Sequence, residues 1–211
     1  MSKEPEEYLH SKFNAEETES ILEDYTNRLA KIFDEQKELL SPNQYKVATK
    51  GILARIAFYI SIQKYVDEEK ALEYAKECAY AKMAGAQKMM KLIGKSNFGC
   101  AMFRKFFTTG LKKDTWVSQI KKDADGDLIF DITKCLYKDL CDYYQVSKMC
   151  ALFCDGDWLV LSHMKKLEFS RNYTLGTMFI TNTSLIKCIQ LTTMMLILLS
   201  SGKISNRFGF Q

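Results

Sequence analysis

The chain has 211 residues, of which 47% are hydrophobic and 27% charged, a composition that excludes a disordered chain. Its length suits one domain with a core of its own. The net charge of +4 is too small to indicate a nucleic acid, and we expect no such partner. Seven cysteines, an odd number, and a polar N-terminus without an apolar signal core favour reduced thiols and a cytoplasmic location.

The first two fifths of the chain are predicted to be helical. Asn14 and Glu17 have the spacing of a capping box, and apolar residues recur at helical spacing after them. The proline of "SPN" at 41–43 ends this helix, because proline cannot continue the backbone ladder. A second helix is predicted over 44–65 and a third over 67–94, between a capping aspartate and a terminal glycine.

From residue 114 the apolar residues alternate with polar ones, which is the period of half-buried strands. "TWVSQI" and "DLIFDITKC" are predicted strands, and their connection "KKDADGD" is a hairpin turn whose acids lack the spacing of a calcium loop. "LYKDLCDYYQV" predicts a short helix and "KLEFSRNYTL" a further strand. The order predicts an α+β domain, in which about three N-terminal helices pack on a small antiparallel sheet with one additional helix.

The stretch "ALFCDGDWLVL" at 151–161 places a cysteine beside two acids inside an apolar run. An aspartate pair after a strand is typical of haloacid dehalogenase phosphatases, but here the helices precede the motif instead of following it. Structural zinc needs about four close ligands, and Cys150 and Cys154 are the nearest pair, so we expect no metal and no cofactor. Because Asp-Gly is a common hairpin signal, we predict a turn between two strands, "MCALFC" and "WLVLSH".

Several segments taken together resemble the L-2-amino-thiazoline-4-carboxylic acid hydrolase family. The resemblance covers approximately residues 45 to 176, and it depends on the order and spacing of "FRKFFTTGL", "ITKCLYKDLCDYYQV", "LFCDGDWLV" and "KLEFSRNYTLG". It implies a small-molecule hydrolase that acts on a cyclic amidine-like centre and opens 2-amino-thiazoline-4-carboxylate to N-carbamoyl-cysteine.

The resemblance carries over Cys135, Cys154, Asp157 and Arg171. Asp157 could serve as a base if burial raises its pKa, and Cys154 as a nucleophile if His163 or Arg171 lowers its pKa. Arg171 could instead hold the substrate carboxylate by two hydrogen bonds. We therefore predict catalytic roles for Cys154, Asp157 and Cys135 and substrate binding by Arg171 and His163. The alternatives are cysteines packed as small hydrophobic residues and a histidine exposed in a turn.

Two other functions stay open. One is a non-catalytic small-molecule-binding domain of the same architecture, which the layout also resembles through the vinyl-reductase-type domains. The other is an inactive family copy that lacks its last strand. An open, polar pocket would favour the hydrolase. An enclosed apolar cavity without converging polar groups would favour the binding domain. An unpaired sheet edge would favour the inactive copy.

The chain departs from the family pattern after Gly176. No acid follows Glu168, and a closing strand of the family is not recognisable. We therefore predict a single hydrolase-like domain over 1–176 and an atypical apolar tail over 177–211. The apolar stretch within 185–201 is shorter than the ~20 residues of a membrane span, so we expect a cytoplasmic protein whose partner is a small-molecule substrate. Membrane association through 185–201 is the alternative.

Overall fold

A computed structural model of the chain describes residues 4–111, 113–124, 127–171, 175 and 182–188. Its helices are α1 (Glu4–His10), α2 (Ala15–Leu39), α3 (Pro42–Ala48), α4 (Ile52–Ile62), α5 (Glu68–Ile93), α6 (Asn97–Leu111), α7 (Leu136–Tyr143) and α8 (Cys150–Leu161). Its strands are β1 (Trp116–Ala124), β2 (Asp127–Cys135), β3 (Leu167–Arg171) and β4 (Asn182–Cys188). The predicted α+β class is confirmed, although more helices than the predicted three precede the sheet in this part of the chain.

Local hydrogen bonds set the beginnings of the long helices. The Asn14 side chain accepts the Glu17 N–H at 2.9 Å, and the Glu17 carboxylate accepts the Asn14 N–H at 3.1 Å. Asp67 caps α5 by accepting the Lys70 N–H at 2.8 Å. Each bond satisfies an N–H that the first helical turn leaves without an acceptor. The helix starts predicted at Asn14 and Asp67 are confirmed.

The single helix predicted over 44–65 is wrong. The chain there forms two helices, because α3 ends at Ala48 and α4 begins at Ile52. Gly51 lies at the break, with an extended φ of −178°, and no side chain caps the N-terminus of α4. Glycine is second only to proline in disfavouring a helix interior, which explains the position of the break.

The larger of two hydrophobic cores surrounds α4. Both the face of α4 towards α2 and the face towards α5 are buried, and its fully or nearly fully buried side chains are Ile52, Leu53, Ile56, Ala57, Tyr59 and Ile62. Helices α1, α2, α3, α5, α7 and the first half of α8, with Val146 and Met149 between α7 and α8, add the other members of this core. Burying such side chains supplies the main favourable term in folding, about 1.5–3 kcal/mol for each large one.

The strands form one antiparallel sheet in the order β1-β2-β4-β3. The predicted strands β1, β2 and β3 are confirmed, while the residues of the β1–β2 turn at 125–126 lie outside the described residues. Strand β4 lies between β2 and β3, with Ile186 paired to Leu128 on one side and to Phe169 on the other. A strand therefore follows residue 176 in the described sheet, while the loss of the family's closing strand stays a prediction. The division of the chain at residue 176 stays a prediction.

The second core lies between α6 and the sheet. Its members include Cys100 and Phe103 of α6, Phe130 of β2 and Phe169 of β3. Gly94, at the end of α5, joins this core to the segment before β3, since the Lys166 N–H donates to the Gly94 carbonyl at 3.1 Å. A Cβ at Gly94 would lie 2.6 Å from the Cα of Met164, so the two backbones are too close there for any residue but glycine.

Residues 150–161 form one helix, α8, so the predicted hairpin at Asp155-Gly156 is wrong. An apolar run of this kind has neither the period of a strand nor that of an amphipathic helix, and only its neighbours decide between them. Gly156 is buried in the middle of α8, and a Cβ there would lie 2.5 Å from the Cε of Met83 in α5. The glycine serves the close approach of two helices instead of a turn.

The described residues contain no helix that is long and apolar enough to cross a membrane. Residues 189–201 of the stretch considered for membrane association lie outside the described residues, and 185–188 belong to β4. The cytoplasmic location stays a prediction.

We expect Gly94→Ala to lower the free energy of unfolding by about 1–3 kcal/mol, because the added methyl group meets the backbone of Met164, which cannot move aside as a flexible side chain can. Gly85→Ala is the matched control. No atom lies within 4 Å of a Cβ at Gly85, which is inside α5, so this change should stabilise the protein by about 0.5–1 kcal/mol. Urea unfolding of both variants measures the difference, and equal effects would contradict the close contact at Gly94.

Candidate active site

A pocket of about 240 Å³ lies between α8, the sheet and the junction of β2 with α7. Most of its wall is aromatic or aliphatic, formed by Phe107, Trp116, Phe130, Ile132, Tyr137, Phe153, Leu161, Phe169 and Leu175. Besides the phenol of Tyr137 and the indole N–H of Trp116, the polar or ionisable side chains in the wall are Cys135, Lys138, Cys150, Cys154, Asp157 and Arg171. A small number of polar groups set in an apolar wall is the usual constitution of a site for a small molecule.

Helix α8 supplies one wall of the pocket. Cys150, Cys154, Asp157 and Leu161 all line it, and their spacing of three or four residues places them on one face of the helix. Asp155 does not line the pocket and is exposed on another side of α8. The helix therefore brings Cys154 and Asp157 together, as the predicted hairpin would not have done through a helical face, and it adds Cys150 to the same wall.

The ends of two strands supply Cys135 and Arg171. Cys135 is the last residue of β2 and precedes α7, and its register partner Trp116 also lines the pocket. Arg171 is the last residue of β3. Four of the five predicted site residues thus line one pocket, although their catalytic and binding roles stay predictions.

His163 is the exception among the predicted site residues. It is exposed just after the end of α8 and does not line the pocket. Its Nδ1 lies 2.8 Å from the carbonyl oxygen of Leu159 and 3.4 Å from the hydroxyl of Ser162. This placement matches the alternative of an exposed histidine without contact with the other four residues.

Asp157 has an unusual environment for a carboxylate. Its side chain is exposed where it lines the pocket, but the surrounding protein removes it in part from bulk water. This removal from bulk solvent raises the pKa of Asp157 to about 6, and the charge of Arg171 offsets part of the rise. Asp157 is therefore ionised at neutral pH but accepts a proton more readily than an ordinary aspartate does.

The pKa values of two thiols in the pocket, those of Cys154 and Cys135, are also raised, which makes these thiols harder to ionise. The side-chain hydrogen bond with Cys150, followed by burial, raises the pKa of Cys154 far above its ordinary value, and Arg171 lowers it only in part. Burial also raises the pKa of Cys135, against a smaller lowering by the backbone N–H groups of Tyr137 and Lys138. The expected activation of Cys154 by a neighbouring cation is therefore outweighed, and both thiols are protonated in this structure.

Arg171 is the cation whose charge lowers the pKa of both Cys154 and Asp157. Its side chain is 14% exposed, and one Nη2 lies 3.8 Å from Oδ1 of Asp155, whose side chain is 53% exposed. An exposed pair at this distance contributes little, so most of the donors of the guanidinium stay available to a ligand. Lys138 also lines the pocket, but it is paired with Asp142 one helical turn along α7.

Three residues that line the pocket, Cys150, Tyr137 and Lys138, were missed by the sequence analysis although they lie close in sequence to predicted site residues. Cys150 precedes Cys154 by one helical turn, and Tyr137 and Lys138 are the second and third residues after Cys135. Reading 150–161 as a helix would have identified Cys150. Within the described part of the chain, no group of three or more His, Cys, Asp or Glu side chains is placed to hold a metal ion.

A family model described as L-2-amino-thiazoline-4-carboxylic acid hydrolase matches residues 45–177. The matched interval includes the polar residues of the pocket, from Cys135 to Arg171, and the first three strands, but ends before β4. No curated protein matches the chain, and no solved structure does.

The raised pKa of Asp157 predicts a pH-dependent stability. Between about pH 4 and pH 6 the folded protein holds a proton that the unfolded chain has lost, so the free energy of unfolding falls as the pH rises through this range. Asp157→Asn removes this loss, and we expect the variant to gain stability relative to the parent at pH 7 but not at about pH 4. Urea unfolding at the two pH values measures this double difference.

Asp34→Asn is the matched control for that experiment, because it removes an exposed carboxylate on α2 that faces bulk water. The control should show no comparable difference between the two pH values. A stability of Asp157→Asn that follows the parent at both pH values would contradict the enclosure of this carboxylate.

Proposed function

Because the chain belongs to the L-2-amino-thiazoline-4-carboxylic acid hydrolase family, we propose that its pocket opens the ring of 2-amino-thiazoline-4-carboxylate to N-carbamoyl-cysteine. The observation that carries the proposal is the convergence of Asp157, Cys154, Cys135 and Arg171 on one pocket of about 240 Å³. A carboxylate with a raised pKa, two neutral thiols and one guanidinium suit proton transfer and the binding of a small anionic substrate.

The reaction adds one water across a carbon–sulfur bond. The water oxygen bonds to C2, the ring carbon between the sulfur and the nitrogens, while the electron pair of the C2=N bond moves to the nitrogen, and a tetrahedral intermediate forms. One proton of the water goes to the base, and the other passes from the C2 hydroxyl to this nitrogen as C2 becomes the carbonyl carbon of the carbamoyl group. The C2–S bond breaks, and the sulfur leaves with the electron pair and takes up the proton held by the base. The catalyst must therefore accept a proton from water and return one to the sulfur.

Asp157 fits both proton transfers. With a pKa of about 6 it is ionised at neutral pH, so it can accept a proton from the attacking water, and it is then acidic enough to return that proton to the leaving sulfur. Attack by Cys154 would first need a thiolate, and the hydrogen bond with Cys150 and burial hold this thiol protonated. The environment of the two groups thus favours water as the nucleophile, with Asp157 as general base.

Arg171 is proposed to bind the substrate carboxylate. Its guanidinium is mostly buried at the end of β3 and lines the pocket, and two parallel N–H donors match the two oxygens of a carboxylate. Cys135 is proposed to contact the ring as a neutral hydrogen-bond donor from the end of β2, which runs parallel to β3 across β4, so that both strands end towards the same edge of the sheet. The aromatic wall excludes water from the rest of the ring, which strengthens these polar contacts.

Binding without catalysis is the second candidate function. The aromatic and aliphatic wall favours it, because such a wall alone would hold an apolar ligand. The four converging polar groups favour the hydrolase instead. An inactive copy was expected to show an unpaired sheet edge next to β2, and that position is occupied by β4.

Incubation of the purified protein with 2-amino-thiazoline-4-carboxylate should yield N-carbamoyl-cysteine, detected by mass spectrometry. We expect Asp157→Asn to lower kcat by about 10²–10⁴-fold, because the general base is lost. In the parent protein kcat/KM should fall as the pH drops below about 6, where Asp157 becomes protonated. Asp34→Asn should retain parental activity, and full turnover by Asp157→Asn would exclude the proposed base.

Cys154→Ala tests the choice of nucleophile. If water attacks the ring, we expect this variant to keep kcat within about tenfold of the parent, since it loses a neutral contact and no bond-forming group. Cys100→Ala is the control for shortening a buried cysteine, because Cys100 is fully buried in the second core and away from the pocket. A loss in Cys154→Ala as large as in Asp157→Asn, with Cys100→Ala active, would make Cys154 the nucleophile.

A further inference from the structure

A second cavity, of about 130 Å³, lies among the helices of the first core. It shares no lining residue with the candidate active site, and residues of α1, α2, α4 and α5 form its wall. Two of its lining side chains, Lys50 and Arg55, are cations, and no aspartate or glutamate lines it. The phenol of Tyr25 and the thiol of Cys78 are the other polar side chains in the wall.

Arg55 is the central group of this cavity. It is largely removed from water, and this burial lowers its pKa. Within the described residues, no hydrogen bond and no ion pair holds its guanidinium, which lies instead over the ring of Phe153 with 5.4 Å between its Cζ and the ring centroid. Buried charges in proteins are normally paired, because an isolated charge loses its hydration without compensation. Arg28, which is also partly buried, follows this rule through Asp24 at 3.0 Å.

The first turn of α4 borders the same cavity. Gly51 and Ala54 line it, and the backbone N–H groups of residues 52–54 have no acceptor within the helix. The helices before and after α4 in the chain are capped by a side chain, α3 by Ser41 and α5 by Asp67, whereas α4 has no such cap. The positive end of α4 therefore adds to the charge of Lys50 and Arg55.

We propose that this second cavity binds a small oxyanion, a phosphate or a carboxylate group, held by Arg55 and Lys50 at the first turn of α4. The volume suits an ion of this size with few waters, since one water takes about 30 Å³ of the liquid. The anion supplies the partner that Arg55 lacks. The ring of Phe153, over which Arg55 lies, also lines the first pocket.

The test uses inorganic phosphate and the full chain. The midpoint of thermal unfolding is measured against phosphate concentration, with sodium chloride added to hold the ionic strength constant. A ligand that binds the folded state raises the midpoint in a saturable manner, and we expect this rise with phosphate. Arg55→Gln should weaken the apparent affinity by at least about tenfold, the effect of a lost charged hydrogen bond.

Two further variants keep the proposal testable if Arg55→Gln does not fold. Lys50→Gln removes the exposed cation at the cavity and should weaken phosphate binding, whereas Lys46→Gln, an exposed lysine of α3 that does not line the cavity, should not. Arg171→Gln should leave the phosphate response intact, because Arg171 belongs to the other pocket.

Three results would overturn the proposal: no saturable rise with phosphate, equal responses of the Lys50 and Lys46 variants, or loss of the response in Arg171→Gln. Acetate replaces phosphate in a parallel series. A saturable rise with phosphate alone assigns the cavity to phosphate-bearing ligands, and a rise with both assigns it to carboxylates as well.

Discussion

The contact between α8 and α5 at Gly156 is the constraint on which the site depends. Because Gly156 has no Cβ, the side chain of Met83 fits directly against the backbone of α8, and the helix packs close to α5. This fixes the rotation of α8, so that a different face, with Cys154 and Asp157, lines the pocket. Gly156, which the sequence analysis assigned to a turn, is thus the residue that allows α8 to pack against α5.

One environment has opposite consequences for the two kinds of acid in the pocket. Removal from bulk water raises the pKa of Asp157 into the range where a carboxylate exchanges protons near neutrality. The same removal, with the hydrogen bond from Cys150, takes the pKa of Cys154 out of the range where a thiolate would form. These shifts favour Asp157 over Cys154 as the group that is ionised near neutral pH, and Arg171 offsets them only in part.

The sequence predicts those features that depend on neighbouring residues. The caps at Asn14 and Asp67 are local hydrogen bonds, and the strands β1 to β3 have the alternation of half-buried segments. The helix over 150–161 could not be predicted in this way, because its apolar faces are matched by α5 and the sheet and not by any period of its own. The resemblance to the family still identified four of the residues that line the pocket. It depends on the order of the residues along the chain and not on whether they lie in helices or strands.

The position of β4 has a consequence for the order in which the molecule is completed. Strands β2 and β3 do not pair with each other, and β4 separates them, so β3 has no partner strand in the described sheet until residues 182–188 are present. During synthesis α2, α4 and α5 can pack as soon as they emerge, because they are close in the chain, and α7 and α8 join them later. The wall that carries Arg171 must wait for the last described strand, and the nascent chain therefore holds a helical half long before it holds a closed pocket.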